Sequence, residues 1–366
     1  MIVGLGTVGR WLLSALHEHA ARLESRYGFR ARIVAVSRAR DGFVSDASGL
    51  DPAAVLESLS GGRRLGELPG VRHFSSSLEG LTATEADVLV EVTASPAESG
   101  EPGVTHLREA LRNGIAVVTS NKWPVALHGL ELVELARGQG VSFRAESTVM
   151  SGTPLLSALV DGLAGTRPVA LRGILNATAN FILTLMEEGS SYEEALAAAQ
   201  ERGLAERDPT ADVEGYDAMA KAMILAALVF EQQLSPEDVT RRGIVGVTRA
   251  QIDAARSVGA RIKEVVTLEP SASGGTRSLI ARVEPAVLPD VDPLSAVAGV
   301  LNAVVCRVEP VGEVVVSGPG AGPELAGQGV FSDLIAVALA RGCSSSSRVG
   351  SSRPRRSMSA SPYNRP

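Results

Sequence analysis

In the stretch "ERGLAERDPTADVEGYDAMAK", residues 201–221, Asp217 and Lys221 stand four apart, which sets both on one face of a helix. An exposed pair of this spacing adds only about 0.3 kcal/mol and would carry no chemistry. The continuation "AMILAALVF" leaves no polar face, however, and a helix that is apolar all round is normally a buried one. Desolvation disfavours the ammonium form of a buried lysine and a nearby carboxylate favours it. Lys221 is therefore suited to proton transfer near neutral pH, with Asp217 holding it and anchoring a polar substrate. Lys122, in "VVTSNKWP", is the second candidate because it ends an expected parallel strand, on the edge where open α/β sheets bind ligands. A plain surface lysine is the competing reading there.

Glu206, Asp208, Asp212 and Glu214 precede this helix. Acids near a helix N-terminus are stabilising and Asp208-Pro209 is a turn signal, so part of this cluster is structural. Paired carboxylates also suit Mg²⁺ or Ca²⁺. The spacing fits no EF-hand, there is no HExxH and the five histidines are scattered, so a catalytic divalent metal is not expected. Cys306 and Cys343 are the only cysteines and neither lies in a CxxC, which excludes a disulfide framework and fits a reducing, cytoplasmic setting. With Cys306 in an apolar strand and Cys343 near the end, thioester chemistry with a histidine base is disfavoured.

The elements that must position these residues divide the 366-residue chain in two. "MIVGLG", a helical stretch from "TVGRWLL" and "ARIVAVS" form strand, glycine turn, helix and strand, a βαβ unit with a right-handed crossover. "DVLVEVT", "AVVTSNK" and "VSFRAEST" continue as short apolar strands between helical segments, as strands buried on both faces do. Residues 1–145 are thus expected to form a Rossmann-type, doubly wound dinucleotide-binding domain. Residues 146–304 are expected to form an α+β catalytic and dimerisation domain with the Ala-rich helices "LRGILNATANFILTLMEEG", "SYEEALAAAQERG" and "YDAMAKAMILAALVF". Residues 305–342 are expected to return to the first domain through the glycine loop "SGPGAG", and 343–366, rich in Ser and Arg, to be disordered.

"GLGTVG" sets Gly4, Gly6 and Gly9 in the GxGxxG spacing between a strand and a helix, the context in which the motif binds a pyrophosphate. Where the second strand ends, Ser37, Arg38 and Arg40 stand in place of the usual acidic residue. Guanidinium groups suit a 2′-phosphate, favouring NADP over NAD, with solvated surface arginines as the alternative. A formal net charge of -6 offers no overall field for nucleic acid or an anionic membrane, and no apolar run reaches the length of a bilayer span. Neither partner is expected; small molecules are.

Taken together, "GLGTVG", "VVTSNK", "AESTVMSGTP", "GILNATANFILTLM", "AAAQERGLAERDPTADVEGYDAMAK" and "SGPGAG" resemble homoserine dehydrogenase in order and separation over about residues 1–340. The glycine turn is generic; Gly173 to Lys221 is the specific part. The resemblance implies an NAD(P)-dependent interconversion of L-homoserine and L-aspartate 4-semialdehyde in threonine and methionine biosynthesis. It implies Lys221 as proton donor and acceptor, Lys122 beside substrate and nicotinamide, and Glu206, Asp217 and Asp212 as substrate-binding acids. The cofactor set it implies is Gly4, Gly6, Thr7, Val8, Gly9, Arg38, Thr93, Ser120, Lys122 and Gly320. A structural sodium ion on backbone carbonyls of Glu146, Val149, Ser151 and Thr153, and a homodimer, are further implications. Two departures stand out: Trp123 where the family usually has a small residue, and a first strand that starts at Met1. A related amino-acid dehydrogenase with another substrate and a catalytically silent nucleotide-binding homologue are the rival readings.

Overall fold

A computed structural model describes residues 1–271 and 278–346. The first sheet has the order β4-β3-β2-β1-β5-β6-β7, with β1 Ile2–Val3, β2 Ile33–Arg38, β3 Gly42–Leu50, β4 Arg72–Phe74, β5 Val88–Glu91, β6 Ala116–Thr119 and β7 Phe143–Arg144. β2, β1, β5, β6 and β7 run parallel, while β3 and β4 add an antiparallel edge that the sequence pattern does not announce. Alternate strand residues enter two different cores. Ile2, Val36, Val90 and Val118 pack with Leu12 and Leu13 of the helix Thr7–Glu18, and Val3, Ala35, Leu89 and Val117 pack with Leu107 and Leu132 of the helices Gly103–Arg112 and Lys122–Gln139. Burial on both faces is why these strands read as unbroken apolar runs.

The second sheet has the order β13-β12-β8-β10-β11-β9, with β8 Arg167–Ile174, β9 Val239–Arg241, β10 Ala260–Pro270, β11 Leu279–Pro289, β12 Leu301–Glu309 and β13 Gly312–Pro319. Neighbours are antiparallel except β11 and β9. One face carries the helix Tyr216–Val229, whose Ala218 to Leu225 pack with Leu171, Val266, Leu268, Val283 and Val304. Val125 and Ala126 of Lys122–Gln139 join the same core, and Trp123 packs against it, so that helix bridges the two sheets.

Several expectations are corrected. The start of "LRGILNATANFILTLMEEG" is the central strand β8, and the helix begins only at Ala177, where the Asn176 side chain caps it by accepting the Ala179 N–H at 2.7 Å. β10 escapes a reading by apolar runs because Arg261, Lys263 and Glu264 interrupt it. The return to the first domain starts later than residue 305: β12 and β13 complete the second sheet, and the helix Pro323–Ser346 makes the crossing, with Val330, Phe331 and Val337 in the core beside Leu12. That helix continues four residues into the stretch expected to be disordered; 347–366 lie outside the described residues.

Candidate active site

The glycine turn is a backbone-on-backbone contact. Gly4 has φ 109°, and a Cβ there would meet the Val92 carbonyl oxygen at 2.6 Å; a Cβ on Gly9 would lie 2.1 Å from the Gly4 oxygen. Beside Gly6 no heavy atom stands within 4 Å of that position, so the turn is open there. Thr7, Val8 and Gly9 form the first turn of the helix, whose amides have no intrahelical acceptor and make up the positive end of its dipole.

Along the same edge Thr93 follows β5 and Ser120 follows β6. Their amides bond Glu91, at 3.2 Å to its carboxylate and 3.4 Å to its carbonyl respectively. Glu91 is fully buried, takes the Asn121 amide at 3.1 Å and lies 3.7 Å from His106 Nδ1. It fixes the strand ends on which the expected cofactor residues sit, and nothing in its local sequence marks it. Arg38, at the end of β2, lies 3.3 Å from Asp41 with 18% of its side chain exposed, so it is not a freely solvated arginine.

Beyond this edge, Lys122 of the first domain and residues of the second form a charged cluster. Lys122 is the first residue of its helix and Asp217 lies in the first turn of Tyr216–Val229, behind Gly215, whose φ of 79° only glycine adopts freely. One Asp217 carboxylate oxygen pairs with Lys122, and the other accepts from Lys221 at 2.8 Å and Asn176 at 3.1 Å. Lys221 also donates to the Leu175 carbonyl at 2.6 Å, and Asn176 donates to Asp212 at 2.8 Å. Burial would raise the Asp217 carboxyl, but the two ammonium groups outweigh it and hold the acid well below the usual range. Asp217 in turn pushes Lys122 up, while burial raises Asp212. Asn176 and Glu264, a buried acid on β10, belong to this neighbourhood; sequence reasoning missed both.

The remaining expected residues fall into three places. Glu206 is exposed on the turn before the cluster, where its carbonyl accepts from Gln200, and it is not brought to Asp217. Asp208 caps the Thr210 amide at 3.1 Å, the turn role read for it. Glu146, Val149, Ser151 and Thr153 share the short segment between β7 and the second domain, with Val149 in the helical turn Ser147–Met150. There the Glu146 carboxylate accepts the amides of Leu155, Leu156 and Ser157, and Ser151 turns the chain at φ 52°. The Ser151 hydroxyl donates to the Gly320 carbonyl at 3.1 Å and Thr153 to that of Pro319 at 3.0 Å, tying this loop to the returning glycine segment. A Cβ on Gly320 would run into the Asn302 side chain at 2.1 Å, and Asn302 itself donates to the Leu175 carbonyl at 3.0 Å. The returning loop is thus linked through Asn302 to the carbonyl that receives Lys221. Cys306 is fully buried and burial pushes its thiol up to about 11, which removes it as a nucleophile.

Comparison with known proteins gives this arrangement a family. The sequence profile "Homoserine dehydrogenase, NAD binding domain" matches residues 4–146, and "Homoserine dehydrogenase" matches 154–335. The chain is 38% identical over 336 residues to an NAD(+)-dependent homoserine dehydrogenase of Pseudomonas canavaninivorans, covering 92% of this chain and 95% of that one. It is 36% identical to the homoserine dehydrogenase of Methanocaldococcus jannaschii, covering 92% and 97%. Among solved structures, a hyperthermophilic archaeal homoserine dehydrogenase in complex with NADPH aligns at TM-score 0.76 and 31% identity over 93% of this chain and 97% of that one. One from Thiobacillus denitrificans aligns at 0.77 and 33% over 93% and 73%. The glycine turn, the lysine-bridging carboxylate and these matches together establish that the chain belongs to the homoserine dehydrogenase family, the NAD(P)-dependent oxidoreductases.

Proposed function

We propose that Lys221 is the proton donor and acceptor of the family's reaction, the interconversion of L-homoserine and L-aspartate 4-semialdehyde, and that Lys122 orients the reacting oxygen from the other wall of the cleft. The observation that carries this is the Asp217 carboxylate, which bridges a lysine from each side and so brings the two ammonium groups together. NAD(P), when bound, exchanges a hydride with the substrate carbon. In the oxidative direction the hydroxyl proton passes to the neutral amine of Lys221, and in the reductive direction the ammonium returns it to the carbonyl oxygen. Asp217 holds both lysines, and Asn176 fixes Asp217 against Asp212. Glu206, exposed on its turn, is the acid proposed for the substrate ammonium.

Gly4, Gly6, Thr7, Val8 and Gly9 would hold the pyrophosphate, Thr93 and Ser120 the nicotinamide side, and Gly320 the returning wall. Arg38 favours NADP. A sodium ion suits the 146–153 loop as a hard cation on backbone oxygens, and its donors would be the carbonyls of Glu146, Val149, Ser151 and Thr153. Val315, paired with Val305 on the sheet face turned away from the helix Tyr216–Val229, is half exposed, which supports a homodimer through that face. The biosynthetic role in threonine and methionine formation and a cytoplasmic setting complete the reading. Among the described residues no helix is long and apolar enough to cross a membrane.

The deciding experiment follows NADPH absorbance as purified protein meets L-homoserine with NADP or NAD. Turnover with either cofactor is expected, and failure with both from about pH 7 to 10 would defeat the catalytic reading.

A further inference from the structure

Beneath the Asp217 cluster lies an acid that the proposed chemistry does not use. Glu264, on β10, is 3% exposed, and neither of its carboxylate oxygens has a hydrogen-bond partner. Alternation along β10 puts it on the face of Val266 and Leu268, which pack against the helix Tyr216–Val229. Val266 stands opposite Gly173 in the antiparallel pairing of β10 with β8. Glu264 lies two residues before Val266, and Leu175, whose carbonyl receives Lys221, lies two residues after Gly173, just past the end of β8. On the helix side, a Cβ on Gly215 would lie 3.3 Å from Glu264 Oε1. The carboxyl therefore sits under the first turn of the helix that carries Asp217 and Lys221.

A buried carboxyl without a donor is destabilising, and valine or leucine, as at Val266 and Leu268, would fill such a position without that penalty. Its surroundings explain what the acid can do. The helix contributes Asp217 and Lys221, and the turn before it Asp212 and Glu214. β9 contributes Arg241, already paired with Glu214, whereas Glu284 of β11 stands opposite Val265 and so belongs to the other face, where it pairs with Arg242. On its own strand, Lys263 points to the opposite face, where it pairs with Glu187 at 3.3 Å. Lys221, shared with Asp217 and the Leu175 carbonyl, is the cation of this set whose charge acts on Glu264.

We infer that Glu264 is a positioning residue that sets the protonation of Lys221. As a neutral acid it leaves Lys221 free to lose its proton, and as a carboxylate it holds Lys221 in the ammonium form. This rests on Lys221 being the proton donor and acceptor. Burial, then the charges of Asp217 and Asp212, push the Glu264 carboxyl up to about 8, with Lys221 pulling the other way. Coupling is reciprocal, so the Glu264 carboxylate favours the Lys221 ammonium by the same free energy. Reduction draws on the Lys221 ammonium as proton donor, and oxidation needs the neutral amine.

The test is kcat for both directions across about pH 6 to 10 on the full chain, comparing wild type with Glu264→Gln and Glu264→Asp. In the Gln variant both the rise of oxidation and the loss of reduction should move to lower pH by about one unit, and the shorter acid should recover part of that shift. Superimposable profiles, or a loss equal at every pH, would overturn the inference. Should the variants not fold, carboxyl carbon-13 NMR of the glutamate-labelled wild type decides the same question. One glutamate titrating near pH 8 supports the inference, and every glutamate titrating in the ordinary acid range overturns it. Lys221→Ala separates the two levels. If that variant stays active the proton-shuttle reading fails. If it is inactive while the Gln profile matches wild type, only the role of Glu264 fails.

Discussion

At Gly9 one added methyl group would lie 2.1 Å from a backbone oxygen, whereas around Asp217 two lysines and Asn176 share one carboxylate and Glu264 beside them shares nothing. The glycine turn of the nucleotide wall is a steric construction, backbone packed on backbone within the turn and against Val92. The substrate wall is electrostatic and gathers Asn176, Asp212, Asp217, Lys221 and Glu264 from separate segments of the chain, with Lys122 reaching Asp217 from the first domain. The first wall fails when volume is added. The second fails when a charge is removed or its proton is moved.

The largest effect is expected on the electrostatic wall. Lys221→Ala should lower kcat by about 10³-fold, the range of a lost general acid and base, while NAD(P) binding measured by fluorescence titration stays close to wild type. Near-normal kcat would make Lys221 an internal partner of Asp217 and the Leu175 carbonyl and nothing more.

Glu264 provides the next contrast, through stability. Its carboxyl is raised from 4.5 to about 8, so between those values the folded protein keeps a proton that the unfolded chain has released. Stability therefore falls as pH rises through this window, and the penalty is complete above about 8. Glu264→Gln removes it, and urea denaturation should find the variant more stable by on the order of 3 kcal/mol at the top of the window, with the gap closing toward its acid end. A gap independent of pH would mean that the acid is already ionised or solvated in the fold.

How much of each wall can be read in the sequence follows from the same contrast. Gly4, Gly6 and Gly9 act through spacing within one turn, and Asp217 and Lys221 through spacing within one helix, so local pattern reaches them. Glu264 interrupts the apolar run of β10, the feature that hides the strand, and the meaning of the acid appears only when β10 lies beneath Gly215. Asn176 looks like part of a continuous apolar helix until β8 is seen to end before it. Glu91 is one more acid at a strand end until Asn121, Thr93 and Thr119 are found around it. Residues whose role depends on partners distant in the chain carry no local signal.

On the steric wall, Gly9→Ala should cost about 2 kcal/mol of folding stability and weaken NAD(P) binding, because the Gly4 carbonyl it would strike belongs to the phosphate turn itself. A thermal melt alongside a cofactor titration separates the two losses. An unchanged affinity would show that the turn can shift without harm, and the nucleotide wall would then not owe its function to a close steric fit.

The smallest expected effect lies where the two kinds of construction meet. Arg38 is a charge on the steric wall, held 3.3 Å from Asp41 at the end of β2. If its guanidinium receives the 2′-phosphate, Asp41 serves to aim it, and Arg38→Ala should raise KM for NADP about tenfold, one charge-assisted contact, while KM for NAD changes little. Equal changes for both cofactors would assign Arg38 to the Asp41 ion pair alone. Nucleotide choice would then have to come from elsewhere on the β2 edge, with the exposed Arg40 as the next residue to remove.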